Sequence, residues 1–167
     1  MSFDSPWIRG PLRLRASALA AIEAEAARTY PSECCGYVFG PAEDGASLDE
    51  VRCEENEADK YHRMDPETFP RTSRTYFKMN ELRASRVFDQ ASADGRPVKA
   101  IFHSHCDSSA HFSEEDTMTF SQGGELMWPC AFLVVAVRDG HPRELELWQH
   151  DPESGRFVQG QLEIDDE

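Results

Sequence analysis

The sequence lacks any apolar run near the roughly 20 residues that a membrane-spanning helix requires. Its N-terminal stretch, MSFDSPWIRGPLRLRAS, carries arginines and prolines where a signal peptide needs an apolar centre. Neither membrane insertion nor export is therefore expected, and the cytoplasm is the expected compartment. There is no Cys-x-x-Cys pair, which removes zinc-ribbon and thioredoxin-like readings. The five cysteines, Cys34, Cys35, Cys53, Cys106 and Cys130, are odd in number and do not read as a disulfide framework. Positive charge is scarce too: 17 basic residues, only three of them lysines, stand against 31 acidic ones, for a net charge of −14. A field of that sign repels phosphate backbones, so nucleic acid is not an expected partner. Its simplest consequence is solubility.

What is present is ordinary in amount, with 40 % hydrophobic and 29 % charged residues, and 167 residues suffice for a domain with a buried core. No internal repeat or linker divides the chain, so residues 1–167 read as a single domain. SALAAIEAEAARTYP reads as a helix with Ser17 as N-cap, Pro31 as stop, and a buried face at Leu19, Ile22 and Ala26. CCGYVFG reads as a strand closed by Gly40, PAEDGAS as a turn, and LDEVRC as a second strand anchored by Leu48 and Val51. Residues 54–76, polar and interrupted by Pro66 and Pro70, suggest a long surface loop. A helix over MNELRASRVFDQASADG, apolar at Leu82, Val87 and Phe88 and ended by Gly95, precedes the apolar strand VKAIFHSH. A helix from about Ser113, the strand AFLVVAVR, a turn at Asp139-Gly140, the alternating strand RELELWQ and one edge strand in GRFVQGQLEI complete the order. The pattern is mixed α/β around one sheet.

The chemistry concentrates in HSHCDSSAHFSEED, His103 to Asp116, which holds three histidines, one cysteine and four carboxylates. A metal site, a thiol site, or a polar loop running into a helix cap would each use such residues. Residues i and i+2 of a strand share a face, so His103 and His105 converge. A lone histidine there reads as a satisfied core residue; two of them, followed by carboxylates, favour a metal. Asp116 has a structural explanation as well, because Ser113-Glu-Glu-Asp116 fits a capping box. The two readings coexist, since a capped first turn aims Asp116 in a set direction. Two histidines and one carboxylate make the three protein ligands of a catalytic zinc site, with the fourth position left to water. A general base is also required, and spacing does not choose it. Helix periodicity turns Glu114 and Glu115 away from Asp116, while Glu33 stands between the first helix and a core strand. His111 reads as a solvated loop residue.

His103-Ser104-His105, seven residues, Ser113, two residues and Asp116, with an upstream glutamate in PSECCGYVFG, resemble the JAMM (MPN+) zinc metalloprotease motif. Asn56, MDPETF and RFVQGQLEI are similar to segments of the short bacterial members, so the resemblance spans roughly residues 10–164 and leaves an acidic tail at 165–167. It implies the MPN fold, a curved mixed β-sheet packed by helices and similar to cytidine deaminases. It also implies one Zn²⁺ per chain on His103, His105 and Asp116. Glu33 would take a proton from zinc-activated water and later protonate the leaving amine, and Ser113 would hydrogen-bond the oxyanion. The implied activity is hydrolysis of a peptide or isopeptide bond after the C-terminal Gly-Gly tail of a ubiquitin-like sulfur-carrier protein. That carrier would be the partner, with no nucleic acid and no membrane; association as a homodimer is left open.

One position departs from the family pattern, which has proline after His-x-His where this chain has Cys106. Three roles are open to it: an inert small residue, a fourth ligand that closes the water position, or a disulfide partner of Cys34 or Cys35 beside Glu33. The alternative function is a non-catalytic or redox-latent scaffold that binds partner proteins. Thiol chemistry at Cys106 explains fewer residues than zinc does. A zinc deaminase would need His-x-Glu and a later Pro-Cys-x-x-Cys, whereas Pro129-Cys130 is followed by AFL. A glycine-rich tail would bind as an added strand at a sheet edge. Tyr61, Met64 and Phe69 in the 54–76 loop then either contact that tail or anchor the loop to the core.

Overall fold

Leu12 and Leu14 alternate with Arg13 and Arg15 over a segment too short to stand out by pattern; in the computed structural model, which describes residues 3–166, it is a strand. Met1, Ser2 and Glu167, the last residue of the expected acidic tail, lie outside the described residues. Strand β1 (Leu12–Arg15) buries both leucines and passes directly into helix α1 (Ala16–Thr29). Arg15 is therefore the N-cap, with no side-chain cap, and Ser17 falls inside the first turn instead of capping it. The buried face of α1 is Ala18, Ile22 and Ala26, with Leu19 only partly covered.

The main sheet has six strands: β2 (Cys35–Phe39), β4 (Glu50–Glu54), β5 (Val98–Cys106), β8 (Ala131–Arg138), β9 (His141–Asp151) and β10 (Arg156–Gln159). Their order is β10-β9-β8-β5-β2-β4. The two most apolar segments, β5 and β8, lie side by side at the centre and run parallel, while every other neighbouring pair is antiparallel. Central parallel strands are covered on both faces, which is why these two read as unbroken apolar runs. The connection from β5 to β8 carries helix α4 (Glu114–Phe120) and a small hairpin, β6 (Ser121–Gln122) and β7 (Glu125–Leu126). The turn from β8 to β9 falls at Asp139-Gly140, both at positive φ (52° and 78°), as a two-residue hairpin turn demands.

A second, parallel sheet has the order β11-β1-β3, with β3 (Ser47–Leu48) and β11 (Leu162–Asp165) flanking β1. Two expected strands are thereby each divided between the sheets. LDEVRC gives Leu48 to β3 and Glu50 to Cys53 to β4, with Asp49 between them. GRFVQGQLEI breaks at Gly160, where a Cβ would lie 2.4 Å from Gln149 Oε1. Asp165, expected to begin the tail, closes β11.

Helix α3 (Glu81–Ala93) is capped by Asn80 and buries Ala84, Phe88 and Ala91, spaced as one helical face. Leu82 lies off that face and is 63 % exposed, against expectation, whereas Val87 is partly buried. The expected loop at 54–76 contains helix α2 (Ala58–Met64) and is tied down by Asn56. Asn56 Nδ2 donates to the carbonyls of Glu33 and Tyr76, and its Oδ1 accepts from the N–H groups of Ala58 and Lys78. No helix among the described residues is long and apolar enough to cross a membrane.

Candidate functional site

At the C-terminal half of β5, His103 and His105 point to one face, and their Nε2 atoms lie 3.2 Å apart. Asp116 meets them from α4, its Oδ2 lying 3.1 Å from His103 Nε2 and 3.2 Å from His105 Nε2. The carboxylate is aimed by the full capping box: Asp116 N donates to Ser113 Oγ, and Ser113 N donates to Asp116 Oδ2, both at 3.0 Å. All three metal-type side chains are buried, and their donor atoms lie within 4.8 Å of one another. The Phe77 ring stacks on His103 at 4.4 Å between centroids, shielding it from solvent.

His105 is held at its second nitrogen. Nδ1 lies 2.9 Å from the Ser109 carbonyl oxygen, which can only accept, so Nδ1 donates to it. Nε2 faces an Asp116 carboxylate oxygen at 3.2 Å. A carbonyl-anchored imidazole whose other nitrogen meets a carboxylate is the usual arrangement of a histidine metal ligand. Burial lowers the His103 pKa in spite of the attraction of Asp116. Burial alone would raise the Asp116 carboxyl, but the imidazoles, His103 foremost, hold it below the ordinary carboxylate range. Two imidazoles and one carboxylate fit a divalent zinc-type ion.

Glu33 comes from the junction of α1 and β2 and is buried, 6 % exposed. Burial first, then the charge of Asp116, pushes its carboxyl well above the ordinary value, against a weaker opposing pull from Arg71. It lines an open groove of about 430 Å³ with Cys34, Cys53, Asn56, Asp59 and Ser73. Its backbone is pinned on both sides: Glu33 N donates to the Ser73 carbonyl at 2.7 Å and its own carbonyl accepts from Asn56. Ser73 is fixed in turn by bonds from its N and Oγ to Asp59, both 2.8 Å.

Other expectations divide. Glu114 is exposed and Glu115 faces Arg71 at 3.6 Å, so both turn from the histidines. Cys106 lies outside the His103–His105–Asp116 group. Strand alternation places it with Ser104 on the opposite face, where Ser104 Oγ accepts from Cys34 N. All five cysteines are free thiols, and burial pushes Cys106 up to about 12. His111 is exposed, as expected of a loop residue, yet its ring lies 4.8 Å from that of His105 and its Nδ1 bonds Ser109 Oγ. Tyr61 and Phe69 pack on each other at 5.0 Å, whereas Met64 is 70 % exposed and anchors nothing. Sequence reasoning missed Ser109 and Ser73. Ser109 holds His105, and Ser73 holds Glu33, through backbone carbonyls, for which residue identity carries no signal.

A family model described as prokaryotic homologs of the JAB domain matches residues 15–151. A CysO-cysteine peptidase of Mycobacterium tuberculosis is 29 % identical over 142 residues, covering 83 % of this chain and 82 % of the relative. A solved protein from Desulfitobacterium hafniense has a TM-score of 0.67 at 18 % identity, covering 93 % of this chain and 94 % of that one. A JAB1/MPN domain protein from Archaeoglobus fulgidus has a TM-score of 0.54 at 15 % identity, covering 93 % and 98 %. At these identities the structural likenesses bear on fold, and they agree with the mixed sheet and its helices.

Proposed function

We propose a function from one premise: the chain belongs to the family of prokaryotic homologs of the JAB domain, the JAB/MPN group. The proposed activity is metal-dependent hydrolysis, in the cytoplasm, of a peptide or isopeptide bond after the C-terminal Gly-Gly tail of a ubiquitin-like sulfur-carrier protein. The mycobacterial relative named CysO-cysteine peptidase supports a peptidase with a carrier protein as substrate. The observation that carries the reading is the buried meeting of His103 Nε2, His105 Nε2 and Asp116 Oδ2, with one donor atom of each residue within 4.8 Å of the others.

In this reading His103, His105 and Asp116 hold one Zn²⁺. When bound, zinc supplies Lewis acidity, which polarises a carbonyl and lowers the pKa of water from 15.7 to about 7. Glu33 takes up a proton on its buried carboxylate and returns it to the leaving nitrogen, a transfer favoured by a carboxyl whose pKa burial raises. Ser113 Oγ accepts from Asp116 N and keeps its own O–H to donate toward the oxyanion that develops on the scissile carbonyl. The loop at 107–112 keeps His105 oriented: the Asp107 carboxylate accepts from Tyr30 Oη at 2.6 Å and from Asp139 N at 3.0 Å.

Elemental analysis of protein made without a histidine tag should give about one zinc per chain. The zinc-loaded protein should then release the last residue from a carrier that ends in Gly-Gly plus one amino acid. Protein free of zinc under reducing, metal-supplied conditions would overturn the reading.

A further inference from the structure

The groove that Glu33 lines is acidic along its length. Besides Glu33, the carboxylates of Glu25, Glu54, Glu55 and Asp59 line it, against one guanidinium among the described residues, that of Arg28. Arg28 is already engaged: its Nε and Nη2 donate to the two oxygens of Glu25, both at 2.8 Å. Glu54 accepts from Arg83 Nε at 2.8 Å, a cation outside the lining. Asp59 stays ionised, because the N–H and O–H of Ser73 donate to it and hold its pKa below the ordinary carboxylate value. Glu55, exposed just past the end of β4, adds another carboxylate.

Surface carboxylates alone make only a solvated face. What sets this groove apart is Glu33 at its inner end. That side chain is 6 % exposed, and its carboxylate accepts no hydrogen bond from any described residue. Buried polar groups are hydrogen-bonded as a rule, so this one points to a donor that arrives with a ligand, from the side on which the groove opens.

We infer that the groove receives a cationic side chain of the substrate, on the leaving side of the scissile bond, with Glu55 and Asp59 as the residues that select it. The inference rests on the peptidase reading and deepens it. In that reading Glu33 protonates the leaving nitrogen, so the residues that follow the scissile bond lead away past Glu33 into the groove. A lysine side chain there extends roughly 6 Å from its Cα and sets a compact ammonium among the carboxylates. The groove, about 430 Å³, holds such a stem and head with ease. An acidic side chain in the same place would meet like charge. Selection is therefore by charge and not by shape.

Protein carrying Glu33→Gln, which keeps the peptide intact, tests this by equilibrium binding in zinc-supplied buffer. Two synthetic peptides end in Gly-Gly-X-Ala carboxamide, where X is lysine in one and acetyl-lysine, the same stem without the charge, in the other. The lysine peptide should bind about threefold to tenfold tighter, as expected of two or three exposed charge pairs. Adding Glu55→Lys should bring the ratio toward one; Asp59 is left in place because it also fixes Ser73. Glu163→Lys changes the net charge equally but lies on β11 in the other sheet, and should preserve the ratio. Equal affinities at the outset, no binding of the lysine peptide, or a ratio that survives Glu55→Lys would overturn the inference. So would an equal fall with Glu163→Lys, which would trace the preference to the charge of the whole molecule. Hydrolysis by protein that retains Glu33 is followed separately. If neither peptide is cut the peptidase reading fails, and the binding ratio still decides what the groove selects.

Discussion

The two walls of the site are built in opposite ways. The His103–Asp116 wall is one continuous stretch, a strand end joined by a short loop to a capped helix, and each side chain is aimed by its own element. The Glu33 wall is assembled from remote pieces: the α1–β2 junction, Asn56 before α2, Asp59 within it, and Ser73 in the following loop. The first wall follows from the period of a strand and the chemistry of a cap. The second exists only when the tertiary bonds are made. The His–His–Asp geometry is thus locally determined, whereas the position of Glu33, the proposed proton carrier, depends on a loop that the rest of the fold must hold.

The largest expected effect separates the walls outright. His105→Ala should abolish both bound zinc and hydrolysis, and Glu33→Ala should retain the zinc while lowering turnover about 10²–10⁴-fold. Elemental analysis and a cleavage assay on the same preparations check both; zinc lost on changing Glu33 would merge the two walls into one. Next comes Asn56→Ala, which strips partners from two carbonyls and two N–H groups. It should cost about 2–4 kcal/mol in urea unfolding and slow turnover with zinc retained.

The raised Glu33 carboxyl predicts a smaller, pH-dependent effect in metal-free protein. Between its ordinary value of 4.5 and the higher folded value, the native state keeps a proton that the unfolded chain releases. Stability therefore falls as pH rises through that window and levels off above it. Glu33→Gln, which resembles the protonated form, should match the parent below the window and exceed it in stability at pH 8. Unfolding midpoints that move in parallel at both pH values would contradict the burial of that carboxyl. The smallest effect belongs to Cys106→Ala. Its side chain faces away from the histidines, so zinc content should stay unchanged and stability shift by no more than about 1 kcal/mol. Loss of zinc in that variant would put the thiol back on the ligand face.

How much of this was legible in the sequence follows the same division. Alternation joined His103 to His105, and the Ser-x-x-Asp spacing joined Ser113 to Asp116. Both relations are local, and the structure has both. The same alternation rule turns Cys106 toward the Ser104 face, a consequence already contained in the pattern. The capping role expected of Ser17 failed because β1 runs into α1 without a gap, leaving the N-cap position to a strand residue. GRFVQGQLEI could not be divided correctly from its own residues, because the break at Gly160 reflects the proximity of Gln149. Hydrophobicity alone singles out Leu82, although Ala84, Phe88 and Ala91 share the face that packs. Glu33 stood out by its place in the order of elements, but nothing in the sequence discloses the carbonyl of Ser73 that holds it.

The small parallel sheet sets a schedule for a growing chain. Leu12 to Arg15 pair residue by residue with Leu162 to Asp165, so one edge of the first strand finds its neighbour only when the last segment is made. At about 5–20 residues per second, a ribosome needs on the order of 10–30 s to cover that interval. Until then β3 can cover one side of β1 while the other stays open. A message truncated shortly before Leu162 would yield a chain that holds both histidines and Asp116 but still exposes that edge, a ready target for a chaperone or a protease.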